Sequence, residues 1–178
     1  MHIAVSGYSG CGNTTTSKAL AKKLDATLIN FTFRDLAKEK GIEFETFRSL
    51  AEKDDSFDKE LDKRQVEMAL CAPNTVLASR LAIWMLKDAD FKVFLDISLS
   101  ERARRVWERE GGEYDFWFSH TQKRDDADNA RYKKLYNIDN RDLKSGFDDK
   151  LFIIKDDKAT PEKIVDMIIC EMRNRRLL

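Results

Sequence analysis

A short stretch near the N-terminus has the residue types and spacing of a phosphate-binding loop. It reads "GYSGCGNTT" from Gly7 to Thr15, with four residues between its first glycine and Gly12. The glycines at positions 7, 10 and 12 are expected to give the backbone positive φ and let it approach a phosphate. Inward-pointing amides and a helix N-terminus then attract the anion, and the Thr14 hydroxyl can bind Mg²⁺. The stretch favours a nucleotide site over the alternative, a glycine-rich turn before a threonine-rich helix start.

Position 13 departs from this pattern, because Asn13 stands where a phosphate-binding loop has lysine. Asparagine can donate hydrogen bonds but carries no charge. Losing a cation that faces the phosphoryl group in the transition state raises the activation free energy by several kcal/mol, on the order of what one electrostatic group contributes to catalysis. Lys18 lies one turn further along the predicted helix and could reach back, or it could be a solvated surface residue. The sequence therefore predicts that other cations neutralise the phosphates.

Two arginines follow predicted strands at places where ligands bind in α/β proteins. Arg34 comes just after the second apolar run, in "FTFRDLA", and Arg80 just after the third, in "LASRLAIWM". The carboxyl ends of parallel strands meet at one edge of a sheet, and ligands bind there. Phosphoryl transfer requires in-line positioning and neutralisation of charge, which arginines supply together with Mg²⁺. Both arginines are candidates for that task.

A third group lies on one predicted helix, in "QKRDDADNARY". Arg124, Asp128 and Arg131 have i, i+4, i+7 spacing and so share one helix face. Such a face can bind phosphate through arginine and a ribose hydroxyl through aspartate. A salt-bridged, solvated helix fits the spacing equally well. Asp96, at the end of another strand, could lie near the metal or cap a turn.

Five short apolar runs predict the strands that position these residues. They lack strict polar alternation and are separated by helical patterns, which favours a parallel α/β sheet covered on both faces. The predicted strands are His2–Ser6, Thr27–Phe31, Thr75–Ala78, Phe91–Asp96 and Leu151–Ile154. The predicted helices are Asn13–Leu24, Ile42–Lys53, Phe57–Cys71, one from Ser98 or Ser100 to about Glu110, Phe116–Tyr136, and one that begins at Thr160–Glu162.

Composition limits the class of protein. The 178 residues suffice for one domain, and 32 Lys plus Arg balance 32 Asp plus Glu, which argues against broad attraction to nucleic acid or anionic membranes. No apolar stretch approaches the length of a membrane span. The three cysteines, Cys11, Cys71 and Cys170, are widely spaced and odd in number, so reduced thiols are expected. We expect a cytoplasmic, monomeric protein with no nucleic-acid partner.

Several strings resemble the cytidylate kinases, closest to the short type of archaea and some bacteria, within the nucleoside monophosphate kinases. "GYSGCGNTT" matches the family's phosphate-binding loop except for its lysine. "LASRLAIWM" matches a segment that usually has glycine before the arginine, where this chain has Ser79. "FRDLAKEKGIEFETF" and "DDSFDKELDKRQVEMA" are similar to the monophosphate-binding insertion, and "RDDADNARYKKLYNID" resembles the lid.

The resemblance implies a fold and a division of the chain. The fold is a five-stranded parallel sheet in the order 2-3-1-4-5, with helices on both faces and helical insertions. One domain, 1–178, would comprise a core (1–33, 74–101 and 141–178), a monophosphate-binding insertion (34–73) and a lid (102–140).

The resemblance also implies an activity, transfer of the γ-phosphate of ATP to CMP or dCMP with Mg²⁺. The residues expected to hold ATP are Gly7, Tyr8, Ser9, Gly10, Cys11, Gly12, Asn13, Thr14 and Thr15, with Thr14 binding the metal. Arg34, Arg80 and Asp128 would bind the acceptor, while Arg124, Arg131 and Asn13 would form the catalytic set. Two alternatives stay open: a nucleotide-binding protein of this fold with little activity because of Asn13, and a kinase for another small acceptor.

Overall fold

The chain folds around a five-stranded parallel sheet. The structure is a computed structural model that describes residues 1–144, 147 and 149–178. The strands are β1 (His2–Gly7), β2 (Thr27–Ile29), β3 (Thr75–Ala78), β4 (Phe91–Leu95) and β5 (Leu151–Ile154). They pair in the order β2-β3-β1-β4-β5, with every pairing parallel. This confirms the predicted α/β class and strand order; β2 and β4 end earlier than predicted.

Eight helices are present in the part of the chain that the structure describes. They are α1 (Asn13–Lys23), α2 (Phe33–Glu39), α3 (Phe44–Ala51), α4 (Ser56–Cys71), α5 (Ala82–Met85), α6 (Leu99–Glu110), α7 (Tyr114–Tyr136) and α8 (Pro161–Asn174). Ser98 is the N-cap of α6, since its side chain accepts from the Glu101 amide. Thr160 caps α8 in the same way, with Pro161 in the first turn. None of the described helices could cross a membrane.

The sheet is buried on both faces, as the apolar strand composition predicts. Ile3 and Val5 of β1 point into one core, together with side chains of α1 and α8. Ala4, between them, points into a second core with side chains of α4 and α5. Successive residues of a strand point to opposite faces, so a strand covered on both sides needs apolar residues throughout.

The first long connection between strands forms a small helical layer of its own. Helices α2, α3 and α4 lie between β2 and β3, and Leu36, Phe47 and Leu61 pack together within them. The second long connection forms α6 and α7, which pack against each other. Because all five strands are parallel, the segments that follow β1, β2 and β3 meet at one edge of the sheet. The predicted loop, Arg34 and Arg80 lie in those three segments.

Candidate active site

The glycine-rich loop joins β1 to α1, where the phosphate-binding pattern predicts it. Gly10 and Gly12 have φ of 81° and 89°, which disfavour residues with a Cβ. The prediction of positive φ was wrong for Gly7, which ends β1 in register with Leu95. Glycine is required there for space, because a Cβ would lie 2.5 Å from the Cys11 Sγ. The loop therefore depends on glycine for two different reasons.

A buried ion pair holds the middle of the loop. Arg102 of α6 and Asp125 of α7 pair at 2.8 Å, with side chains only 5% and 11% exposed. The Arg102 guanidinium donates to the Ser9 carbonyl (2.7 Å), and Asp125 accepts from the Ser9 amide (3.2 Å). Arg105 of α6 also donates to the Cys11 carbonyl at 3.2 Å. The helices of the second connection thus fix the loop's shape directly.

The Asn13 side chain is bonded within the protein. Its Nδ2 donates to the carbonyls of Val5 (3.1 Å) and Ser79 (3.3 Å), at the ends of β1 and β3. Its Oδ1 accepts from the Ser17 hydroxyl at 2.9 Å. These bonds use both amide hydrogens, so Asn13 ties the start of α1 to the two central strands. A direct contact between Asn13 and a phosphate would require these bonds to be exchanged.

The start of α1 can hold Mg²⁺ when phosphate oxygens supply most of the ligands. Thr14 is exposed in the first turn of α1, next to the loop. Among the residues that the structure describes, no group of three or more His, Cys, Asp or Glu could hold a metal ion. Mg²⁺ in kinase sites is commonly bound by few protein groups together with substrate phosphates and water. Thr14 fits that kind of site.

Three of the predicted site residues, Arg80, Arg124 and Asp128, come together where the end of β3 meets α7. The Arg80 Nη1 donates to Asp128 at 2.5 Å, joining the end of β3 to α7. Burial, followed by the charge of Arg80, lowers the pKa of Arg124. Burial raises the pKa of Asp128, although Arg80 and Arg124 oppose that change. Two partly desolvated guanidinium groups close together favour an anion between them.

The other two predicted arginines contact the helical layer formed by α2, α3 and α4. The Arg34 guanidinium stacks over the Phe44 ring, 3.9 Å from its centroid. Arg131 of α7 pairs with Asp58 of α4 and donates to the Ala51 carbonyl at 3.0 Å. The Arg131 Nε is buried and has no hydrogen-bond partner among the residues that the structure describes. Arg131 therefore bridges the two long connections and keeps one donor unused.

Helix α4 contributes polar side chains that the sequence reasoning did not identify. Asp62 accepts from the Tyr136 hydroxyl at 2.7 Å, and Gln65 donates to the Phe31 carbonyl at 2.7 Å. Burial raises the pKa of Asp62 to about 6. Asp58, Asp62 and Gln65 have the i, i+4, i+7 spacing that singled out the α7 residues. The same pattern in "DKELDKRQ" could have revealed them.

The predicted site residues line one cleft together with Asp58, Asp62 and Gln65 of α4. Its volume is about 1980 Å³, roughly twice the upper end of the 300–1,000 Å³ usual for small-ligand pockets. Its wall includes the whole loop from Gly7 to Thr15. The other predicted residues in the wall are Arg34, Arg80, Arg124, Asp128 and Arg131. Further cations that line it are Arg104, Arg105, Arg109 and Lys158. The cleft is larger than a pocket for one small ligand, and its lining is rich in cations.

Comparison with known proteins gives one family. The model of the cytidylate kinase-like family matches residues 2–145. "Cytidylate kinase 2" of Borreliella afzelii is 42% identical over 180 residues, with 99% of each chain covered. "Cytidylate kinase" of Pyrococcus horikoshii is 40% identical over 168 residues, covering 93% of this chain and 85% of its own.

Solved structures share the fold at much lower identity. An uncharacterized protein from Eubacterium ventriosum has a TM-score of 0.68 at 21% identity, covering 96% of this chain and 97% of its own. Deoxyadenosine kinase from M. mycoides, with dCMP and dCDP bound, has a TM-score of 0.57 at 13% identity, covering 98% and 100%. These two likenesses concern the fold alone.

Proposed function

Because the chain belongs to the cytidylate kinase-like family, we propose that it transfers the γ-phosphoryl group of ATP to CMP or dCMP. The observation that carries the proposal is the single cleft, which joins a phosphate-binding loop to a second set of cations. Phosphoryl transfer needs two nucleotides held in line and their charge neutralised, with little covalent chemistry from the protein. The volume of the cleft and the cations in its lining support this proposal.

On this proposal the loop from Gly7 to Thr15 binds ATP. The loop amides and the N-terminus of α1 receive the phosphates, and the Thr14 hydroxyl holds Mg²⁺. When bound, Mg²⁺ neutralises phosphate charge and orients the oxygens. Asn13 acts by holding the start of α1 against β1 and β3, so that the amides face the phosphates.

The acceptor monophosphate lies on the opposite side of the cleft, against the insertion 34–73 and the end of β3. Arg34 and Arg80 bind its phosphate, while Asp128 accepts from a ribose hydroxyl. Arg124 and Arg131 neutralise the phosphoryl group in transit and supply the charge that position 13 lacks. Segment 102–140 acts as the lid, so closure of α7 over the nucleotides excludes water.

We also infer a cytoplasmic, monomeric enzyme whose partners are small-molecule nucleotides. ATP and nucleoside monophosphates are cytoplasmic metabolites. Both halves of the cleft are built from one chain, so the proposed site needs no second subunit. Gel filtration coupled to light scattering tests the monomer.

The decisive experiment measures ADP formation with a panel of nucleoside monophosphates. We expect turnover with CMP and dCMP that exceeds turnover with AMP and GMP, and that chelation of Mg²⁺ abolishes. Turnover only with an acceptor outside the pyrimidine monophosphates would instead favour a kinase for another small molecule. Nucleotide binding without turnover would favour a non-enzymatic binding protein of this fold.

A further inference from the structure

Helix α4 presents two unused hydrogen-bond acceptors to the cleft. The Asp62 Oδ2 accepts from the Tyr136 hydroxyl, and the other oxygen, Oδ1, accepts no hydrogen bond from the described residues. The Gln65 Nε2 donates to the Phe31 carbonyl. Because a carbonyl can only accept, the nitrogen of this amide faces Phe31, and its oxygen accepts no hydrogen bond from the part of the chain that the structure describes. Both side chains line the cleft, three residues apart on one helix face.

These acceptors lie beside the groups expected to bind the acceptor nucleotide. Tyr132 connects the two regions, since its pKa is raised by burial and then by Asp128, with a further contribution from Asp62. Asp58, one turn before Asp62 on α4, pairs with Arg131. The rise along α4 from Asp58 is about 6 Å to Asp62 and about 10 Å to Gln65, at 1.5 Å per residue. A mononucleotide with its phosphate near Arg131 can therefore place its base against Asp62 and Gln65.

A pair of hydrogen-bond acceptors discriminates between the pyrimidines. Cytosine carries a 4-amino group, which donates two hydrogens, whereas uracil carries an oxygen at the same position, which only accepts. An amino group satisfies both side-chain oxygens. An oxygen in its place faces a carboxylate and an amide oxygen, and all three groups lack a hydrogen to share. Sites built around such hydrogen bonds reject the wrong partner strongly, because buried polar groups are left unpaired.

We propose that Asp62 and Gln65 select cytosine over uracil by accepting the two hydrogens of the cytosine 4-amino group. This inference rests on the proposed function, since it assumes a pyrimidine monophosphate as acceptor. Tyr136 and Phe31 are positioning groups. The Tyr136 hydroxyl donates to one carboxylate oxygen of Asp62, and the Phe31 carbonyl accepts from the Gln65 nitrogen, so that the remaining oxygen of each side chain faces the base.

The test is Asp62→Asn, with kcat/KM measured for CMP and UMP and with equilibrium binding of each nucleotide measured by calorimetry without ATP. The Tyr136 hydroxyl retains the side-chain oxygen of asparagine, which turns its NH₂ group toward the base. That group can donate to the uracil oxygen. We expect the CMP-to-UMP ratio to fall by about tenfold or more, in both kcat/KM and affinity, with UMP no weaker than in the unmodified protein.

Glu67→Gln is the matched control. It removes a carboxylate from the same helix, at an exposed position outside the cleft whose ion pair with Lys63 is at the surface. The CMP-to-UMP ratio should be unchanged. Asp62→Ala is a second variant, in which CMP binding should weaken while UMP binding should not.

The outcomes separate the inference from the proposed function. Equal losses for CMP and UMP in Asp62→Asn, or a ratio that does not move, would overturn the inference and leave a structural role for Asp62. A protein that shows no turnover with CMP but binds it more tightly than UMP, with the preference lost in Asp62→Asn, would refute the kinase activity and support the inference. Equal affinity of the unmodified protein for CMP and UMP would overturn it.

Discussion

At position 13 the side-chain amide of asparagine makes hydrogen bonds that stabilise the fold. It bonds to carbonyls at the ends of β1 and β3 and so closes the gap between α1 and the sheet. Those carbonyls have other donors as well: the Val5 carbonyl accepts from the Ser79 amide and the Ser79 carbonyl from the Ser6 hydroxyl. Replacing Asn13 would therefore not leave either carbonyl unpaired.

Asn13→Lys should consequently fold and bind ATP at least as tightly as the natural protein. The change removes three hydrogen bonds, two that Asn13 donates and one that it accepts from Ser17, for which we expect a decrease of about 2–3 kcal/mol in the free energy of unfolding. It also adds a cation beside the phosphates. Calorimetric titration with ATP and urea unfolding measure the two effects. Suppose that the natural protein turned over no monophosphate and that Asn13→Lys gave activity. The absence of lysine at position 13 would then explain the lack of activity, and the natural chain would be a nucleotide-binding protein.

The second residue-scale prediction concerns Asp62 and pH. Burial raises the pKa of its carboxyl to about 6, whereas an unfolded aspartate titrates near 3.9. Asp58 raises the pKa further, while the Tyr136 hydroxyl and Arg131 lower it. The protonated form is favoured in the folded state, so its stabilising contribution is complete below about pH 4 and is lost as pH rises through about 6.

Asp62→Asn should therefore become more stable relative to the natural protein as pH rises from 4 to 6, and the difference should level off above that range. Two pKa units correspond to at most about 3 kcal/mol, and partial solvent access reduces the expected gain to about 1–2 kcal/mol. Urea unfolding at several pH values measures it. A stability difference that does not change with pH would mean that the Asp62 carboxyl titrates normally.

At the scale of elements, α6 and α7 hold the loop through the pair Arg102–Asp125. Each partner also bonds to Ser9, so removing one leaves the other buried without a counter-charge. Arg102→Met should lower the free energy of unfolding by about 3–5 kcal/mol, as expected for a broken buried pair. It should also weaken ATP binding by about tenfold or more, because the Ser9 segment loses its position.

Lys63→Met gives the comparison with a surface pair. Lys63 and Glu67 are 77% and 50% exposed, and such pairs contribute about 0–1 kcal/mol. Urea unfolding and ATP titration of both variants give the result. If Arg102→Met lost stability but bound ATP normally, the pair would support only the fold.

Apolar periodicity in the sequence predicts most elements but not all of them. The five strands and helices α1, α3 and α4 follow from it, apart from their ends, whereas capping residues predicted α6 and α8 and a long polar stretch predicted α7. Helix α5 has four residues, too few for a periodic pattern. Helix α2 is also short, but its capping box of Thr32 and Asp35 was present in the sequence. Short helices that are stabilised by capping residues and by neighbouring elements cannot be predicted from apolar periodicity alone.

The site is harder to predict than the fold. Strand ends and helix spacing are local features of the sequence, and they predicted Arg34, Arg80 and the three α7 residues as site residues. The partners of these side chains are remote: Arg131 meets Asp58, and Tyr136 meets Asp62, across more than 70 positions of the chain. Nothing in the spacing of either helix fixes how α4 and α7 face each other.

Across the whole molecule, α7 is joined to the segment around α4 by three polar contacts. They are Arg131 with Asp58, Lys134 with Asp55, and Tyr136 with Asp62. These contacts join the two long connections, and Asp58, Asp62 and Arg131 among them line the cleft. The Arg131 side chain is 32% exposed, so a phosphate can compete with Asp58 for its guanidinium.

Arg131→Ala should therefore reduce kcat/KM for the acceptor by at least tenfold, a loss of about 1.4 kcal/mol or more in transition-state stabilisation. Steady-state kinetics with CMP at saturating ATP measure it. Asp58→Asn is the matched variant, because it weakens the same bridge from the other side but keeps the guanidinium. If Arg131 binds phosphate, Asp58→Asn should change kcat/KM by less than about threefold, since the arginine is then freed and not lost. Similar losses in both variants would show that the bridge itself matters, and that Arg131 serves to hold α7 against α4.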